Sequence, residues 1–212
     1  MTIYKILKYP HSLLRKKSTD VTVFDAGLQL FSENLCETMY VFDGIGLAAP
    51  QVGILKRVIV VDVRKYFKDP DIWKKTVEYS LDGVKMDCPD VLTLVNPVIK
   101  VAKDTIIFPL DGCLSFPGVP RAKTERSAYI EIEAYDTQKR LIHVNGYGIM
   151  SICLQHEMDH LEGVLFIDRV QEEAFLDEEL LGYIKDHEDE SEERKKIKKY
   201  KPQDARRLVS IS

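Results

Sequence analysis

The residues best equipped for chemistry lie in Gln155-His156-Glu157-Met158-Asp159-His160-Leu161-Glu162-Gly163. A helix advances ~100° per residue, so His156 and His160 project within roughly 40° of each other, one turn apart. Two imidazoles stacked in this way can grip one divalent cation, and Glu157 beside them can carry a proton. The approach to this stretch is apolar, with Ile149, Met150, Ile152, Cys153 and Leu154 preceding the polar residues. That composition belongs in the interior rather than on a surface helix. A buried row of Gln, His, Glu, Asp and His without partners costs roughly 1–3 kcal/mol per unsatisfied group. A metal ion and the groups around it satisfy most of them together. Gly163 is the expected helix stop.

Two other stretches carry candidate groups. Gly44-Ile45-Gly46-Leu47-Ala48-Ala49-Pro50-Gln51-Val52-Gly53 contains a bare Gly-x-Gly. A dinucleotide fingerprint needs a strand before it and a third glycine at the right offset, whereas this stretch follows a helical pattern. Nucleotide binding is therefore rejected, and the small residues are read as allowing close approach of backbone to another surface. Gln51 is either an exposed loop amide or a donor aimed at a reaction centre. In Leu110-Asp111-Gly112-Cys113-Leu114-Ser115-Phe116-Pro117-Gly118, the cysteine lies beside glycine between turn signals. That places Cys113 on a strand end or loop, and a lone cysteine is structural by default.

The elements that must position these groups are legible from periodicity. Residues 10–17 read as a turn and the start of a short basic helix anchored by Leu13 and Leu14. Asp25 caps a helix whose apolar residues Leu28, Phe31, Leu35, Met39 and Phe42 recur at spacings of three and four. Cys36 on it reads as a buried thiol. The β-branched run at 57–63 is a buried strand. Residues 64–90 read as a long polar insertion loop with a helical piece over 72–79. Strands follow over 92–101 and 105–108, and a hairpin joins 129–135 to 141–144. His143 on its second strand is read as a surface histidine. After Val170 the pattern becomes an amphipathic helix over 171–185, then an acidic block (186–193) and a basic one (194–201).

The chain has 212 residues, 45% of them hydrophobic, and a net charge of -4. This suits one domain with an appendage and leaves no polyanion-binding footprint or direct nucleic-acid motif. The four cysteines, at 36, 88, 113 and 153, have no paired spacing. With no signal peptide read at the start and no apolar run of spanning length, a reduced, cytoplasmic setting away from membranes is expected.

Three segments in order, Gly44-Ile45-Gly46-Leu47-Ala48-Ala49-Pro50-Gln51, Gly112-Cys113-Leu114-Ser115 and Gln155-His156-Glu157-Met158-Asp159-His160, resemble the peptide deformylases. These metal-dependent enzymes remove the formyl group from the initiator methionine of new polypeptides. The similarity covers roughly residues 3–170. One position departs from it: Asp111 stands where the family usually has glutamate, shortening a carboxylate that lines the site by one methylene. The resemblance implies an α+β fold, with antiparallel β-sheets packed around a central metal-binding helix. It implies a catalytic domain over 1–170, then a C-terminal helix and charged tail over 171–212.

The same resemblance assigns roles. Cys113, His156 and His160 hold one divalent metal ion with a fourth place for water; Fe²⁺ is expected, and Zn²⁺, Ni²⁺ or Co²⁺ can take its place. Glu157 accepts the proton of the attacking water and hands it to the leaving amine, and formate departs. The Gln51 side-chain amide and the Leu114 backbone N–H receive the developing oxyanion. Gly44, Ile45, Gly46, Ile152 and Cys153 bind the substrate, an N-formylmethionyl nascent polypeptide. Asp159 is a candidate acceptor that orients neighbouring groups, and the tail is a candidate ribosome contact. A zinc endopeptidase with the same helix usually takes its third ligand downstream, whereas Cys113 lies upstream. A non-catalytic metal protein would close its site with four protein ligands.

Overall fold

The computed structural model describes residues 1–69, 72–119 and 121–170. Two helices and seven strands make up its frame: α1 (Ala26–Val41), β1 (Gly46–Ala48), β2 (Val58–Val61), β3 (Val77–Leu81), β4 (Val84–Met86), β5 (Leu92–Asp111), β6 (Ala122–Tyr135), β7 (Leu141–Tyr147) and α2 (Ile149–Leu161). The strands form one sheet in the order β1-β2-β5-β6-β7-β3-β4, with every neighbouring pair antiparallel. This is the expected α+β architecture around the histidine-bearing helix. The expected helix and tail over 171–212 lie outside the described residues.

Strand β2 shows how the core is divided. Successive side chains of a strand point to opposite faces, and all four residues of β2 are buried. Ile59 and Val61 join the cluster containing Met150, Leu154 and Leu161 of α2. Val58 and Val60 join Leu28, Leu35 and Met39 of α1. The sheet thus runs between the two helices here, which is why residues 58–61 read as unbroken hydrophobics. Asp25 caps α1 as expected, accepting from the Leu28 N–H at 3.0 Å, while Phe42 at its end stays partly exposed.

The structure corrects two expectations. Residues 92–111 form one strand rather than two, because register shifts along its pairing with β6 absorb the irregular positions. Asn96 and Asp104 take positive φ, and the Asn96 side chain bonds to both the N–H and the C=O of Val21 at 2.8 and 2.9 Å. The insertion is also more regular than expected. A 3-10 turn spans Arg64–Tyr66 at the start of the insertion, and of the helical piece expected over 72–79, Trp73–Thr76 alone is helical, as another 3-10 turn. The chain then enters a hairpin, β3–β4, that extends the sheet beyond β7. Asp82 and Gly83, with φ of 48° and 80°, form its two-residue turn. Asp-Gly between extended runs is the sequence signal for that turn.

Helix α2 is gripped at its end. Gly163 has φ 72°, and a Cβ there would overlap the Arg15 carbonyl. The N-terminal segment crosses at this point, with the Ser18 N–H donating to the Leu161 carbonyl at 2.7 Å. Among the described residues, no helix is long and apolar enough to cross a membrane.

Candidate metal and catalytic site

Helix α2 places His156 and His160 one turn apart, and their rings meet edge to face at 5.0 Å. The loop leaving β5 brings in Cys113. The ligand atoms of Cys113, His156 and His160 all lie within 4.8 Å of one another, and Cys113 Sγ is 3.2 Å from His160 Nε2. Sulfur and nitrogen ligands of one tetrahedral ion stand ~3.5 Å apart, given bond lengths of ~2.3 and ~2.0 Å. One thiol and two imidazoles at this spacing fit a divalent transition-metal ion.

Asp111 anchors the first histidine. Its Oδ1 accepts from His156 Nδ1 at 2.8 Å, which leaves the Nε2 lone pair for the cluster. The aspartate side chain therefore reaches the ring. Asp111 Oδ2 accepts from Thr124 Oγ1 at 2.9 Å and from Arg126 Nη2 at 2.7 Å. Burial by itself would raise the Asp111 carboxyl, but His156 and Arg126 hold it well below the usual carboxylate range. Burial would likewise depress His156, yet the Asp111 carboxylate lifts it well above its ordinary value. That pair calls for a positive charge at His156, and a coordinated ion supplies one in place of the proton. Burial and the neighbouring His156 push His160 far down, which suits a neutral ligand.

Among the described residues, the hydrogen bonds of the Asp159 carboxylate go to arginines and not to either histidine. It holds Arg126 and Arg169, the latter through Arg169 Nε at 3.0 Å. The groups it orients are guanidiniums, and the acceptor behind His156 comes from the end of β5 instead.

Glu157 is buried with its Oε2 unpartnered among the described residues, and burial lifts its carboxyl to about 7. Gln51 is not an exposed amide, being 1% accessible. Its Oε1 accepts from the Ala48 N–H at 2.8 Å, which turns Nε2 toward Cys113 Sγ and Ser115 Oγ at 3.4 and 3.3 Å. Both groups line a cleft of about 660 Å³ together with Gly44, Ile45, Gly46, Cys113, Leu114, Ile152, Cys153 and His156. His160 lies behind this lining, 1% exposed. The structure thus brings every candidate residue from the three segments to one place.

Arg126 and Thr124 lie on β6 ahead of the strand expected over 129–135. The sequence carries their signal: Ile130, Ile132 and Ala134 face inward on β6, and the same alternation runs back through Arg126, Thr124 and Ala122, all buried. An arginine on a buried strand face requires carboxylates opposite it. That demand becomes visible only once the strand extends back to Ala122, seven residues before Tyr129.

The family model for polypeptide deformylases matches residues 3–175. The chain belongs to the peptide deformylase family. It is 36% identical over 171 residues to the peptide deformylase of Desulfitobacterium hafniense, covering 81% of this chain and 97% of that one. Identity to the Thermomicrobium roseum peptide deformylase is 37% over 193 residues, or 91% and 97% of the two chains. Among solved structures, the Synechococcus elongatus peptide deformylase in complex with actinonin superposes with a TM-score of 0.70 at 35% identity, covering 85% of this chain and 87% of that one. The Met-Ala-Ser-bound peptide deformylase from Acinetobacter baumannii gives 0.66 at 26% identity, with 80% and 99% covered. The chain is accordingly a peptide deformylase: a metal-dependent hydrolase that removes the N-formyl group from the initiator methionine of newly made polypeptides.

Proposed function

We propose that deformylation is carried out by the residues gathered at this cleft, with Cys113, His156 and His160 holding one Fe²⁺ ion. The observation that carries the reading is the convergence of these three ligand atoms beside Glu157 and Gln51. When bound, the ion supplies Lewis acidity and makes a water nucleophilic at neutral pH. Glu157, buried next to His156 with one oxygen free, takes the proton released as the formyl carbon is attacked and returns it to the departing amine. The Gln51 Nε2 amide and the Leu114 backbone N–H serve the carbonyl oxygen as charge builds on it. Gln51 is fixed in advance by its bond to Ala48, so no reorganisation is needed during the reaction.

The methionine side chain occupies the slot made by Ile45, Ile152 and Cys153, with Gly44 and Gly46 beside the peptide. The Met-Ala-Ser peptide bound by the Acinetobacter baumannii relative supports a substrate of this kind lying along the cleft. Residues 1–170 act as the catalytic domain. Residues 171–212, with their acidic and basic blocks, meet the ribosome in the cytoplasm, where the nascent chains emerge.

Glu157→Ala tests the proton-transfer role: metal content is retained while formate release from a formyl-Met peptide falls by ~10²–10⁴. Near-normal turnover removes Glu157 from that role. Anaerobic purification with metal analysis on the same sample tests the ion, and zinc in a fully active anaerobic preparation overturns Fe²⁺. Ribosome pelleting with and without residues 186–212 tests the tail.

A further inference from the structure

We infer that Arg126 is a positioning residue for the metal site, acting through Asp111 on His156. Arg126 is 3% exposed, on the inward face of β6. Its Nε and Nη2 donate to Asp111 Oδ2 at 3.1 and 2.7 Å, and its Nη1 donates to Asp159 Oδ2. The two oxygens of Asp111 have separate tasks. Oδ2 is held by Arg126 and Thr124, while Oδ1 faces His156 Nδ1. Fixing Oδ2 sets the plane of the carboxylate, and that plane sets the ring orientation and tautomer of His156. Groups that fix a ligand imidazole from behind tune metal affinity.

The charges form a line from the metal site outward: His156, Asp111, Arg126, Asp159, Arg169. Among the described residues, Arg126 is the one cation paired with both buried carboxylates of this line. A guanidinium presents donors in a rigid plane and bonds to both at once; a lysine ammonium is a point charge without that span. Among the described residues, loss of Arg126 leaves Asp111 with Thr124 alone to hold Oδ2, so the acceptor behind His156 is free to turn.

The inference rests on His156 being a metal ligand, and its test separates the two ideas. Full-length protein is loaded with Co²⁺, and affinity is measured by chelator competition alongside the visible spectrum. Arg126→Met is expected to weaken Co²⁺ binding by ~10–100-fold, the range for loss of such supporting groups. In an Asp111→Asn background, the same change is expected to cost less than about threefold, because the residue through which it acts has already lost its charge. Equal losses in the two backgrounds, or unchanged binding by folded Arg126→Met, overturn the inference while leaving the ligands in place. Where Arg126→Met does not fold, Arg126→Lys replaces it in both backgrounds, with a smaller loss expected when Asp111 is intact and the same disappearance in the Asp111→Asn background. If wild-type protein shows no thiolate-to-cobalt band, the ligand assignment itself fails, and the inference with it.

Discussion

Gly46 and Glu157 share one volume: a Cβ built on Gly46 would collide with the Glu157 carboxylate. The glycine in Gly44-Ile45-Gly46 is therefore needed for more than a supple backbone. It lets strand β1 lie against the acid that sits beside the histidines. Gly46→Ala is expected to retain the metal and displace Glu157, lowering kcat by ~10², as misplacement of a reacting group by ~1 Å does. Formate release and metal content measured on one sample check this, and a normal kcat means that the carboxylate has another productive position.

Gln51→Ala should lower kcat by ~10²–10³, the loss seen when one oxyanion donor is removed. KM should move much less, because the amide serves the transition state more than the ground state. Steady-state kinetics on a formyl-Met peptide decide it; a loss below threefold assigns the amide to packing against Cys113 and Ser115.

Metal removal should expose the contribution of the ion to stability. A ligand present at ~100 times its dissociation constant stabilises the folded state by about 2.7 kcal/mol. A chelator should thus lower the thermal midpoint of wild-type protein and abolish turnover, with both restored by added Fe²⁺ under anaerobic conditions. Cys113→Ala should show a much smaller chelator-induced shift. Identical shifts in the two proteins exclude the thiolate as a ligand.

Gly163→Ala places a side chain at φ 72° and against the Arg15 carbonyl. A residue forced into that region costs about 1–3 kcal/mol, before the clash is relieved. Urea unfolding should show a lower midpoint with an unchanged slope. No change in midpoint means that the crossing of the N-terminal segment over α2 gives way without cost.

What the sequence determined is what local geometry repeats. The spacing of His156 and His160 sets them on one helix face wherever that helix lies. Asp25 caps α1 through a bond to Leu28 N–H three residues on, and Val58–Val61 reads as buried because branched residues occupy every position. Regularities of 3.6 and 2 residues are written in consecutive side chains. The family motifs added which distant segments belong with that helix.

Only the tertiary structure decided how they meet. Cys113 and His160 are 47 residues apart in the chain, and Asp111 and His156 are 45 apart. Which carboxylate stands behind His156 depends on the register of β5 against β6 and on the position of α2 across the sheet. No local period encodes either. The same holds for Arg126: its inward direction follows from alternation along β6, but its two carboxylates come from a different strand and a helix. Their choice was settled by the need to balance buried charge, a condition that applies to the assembled interior and to no segment alone.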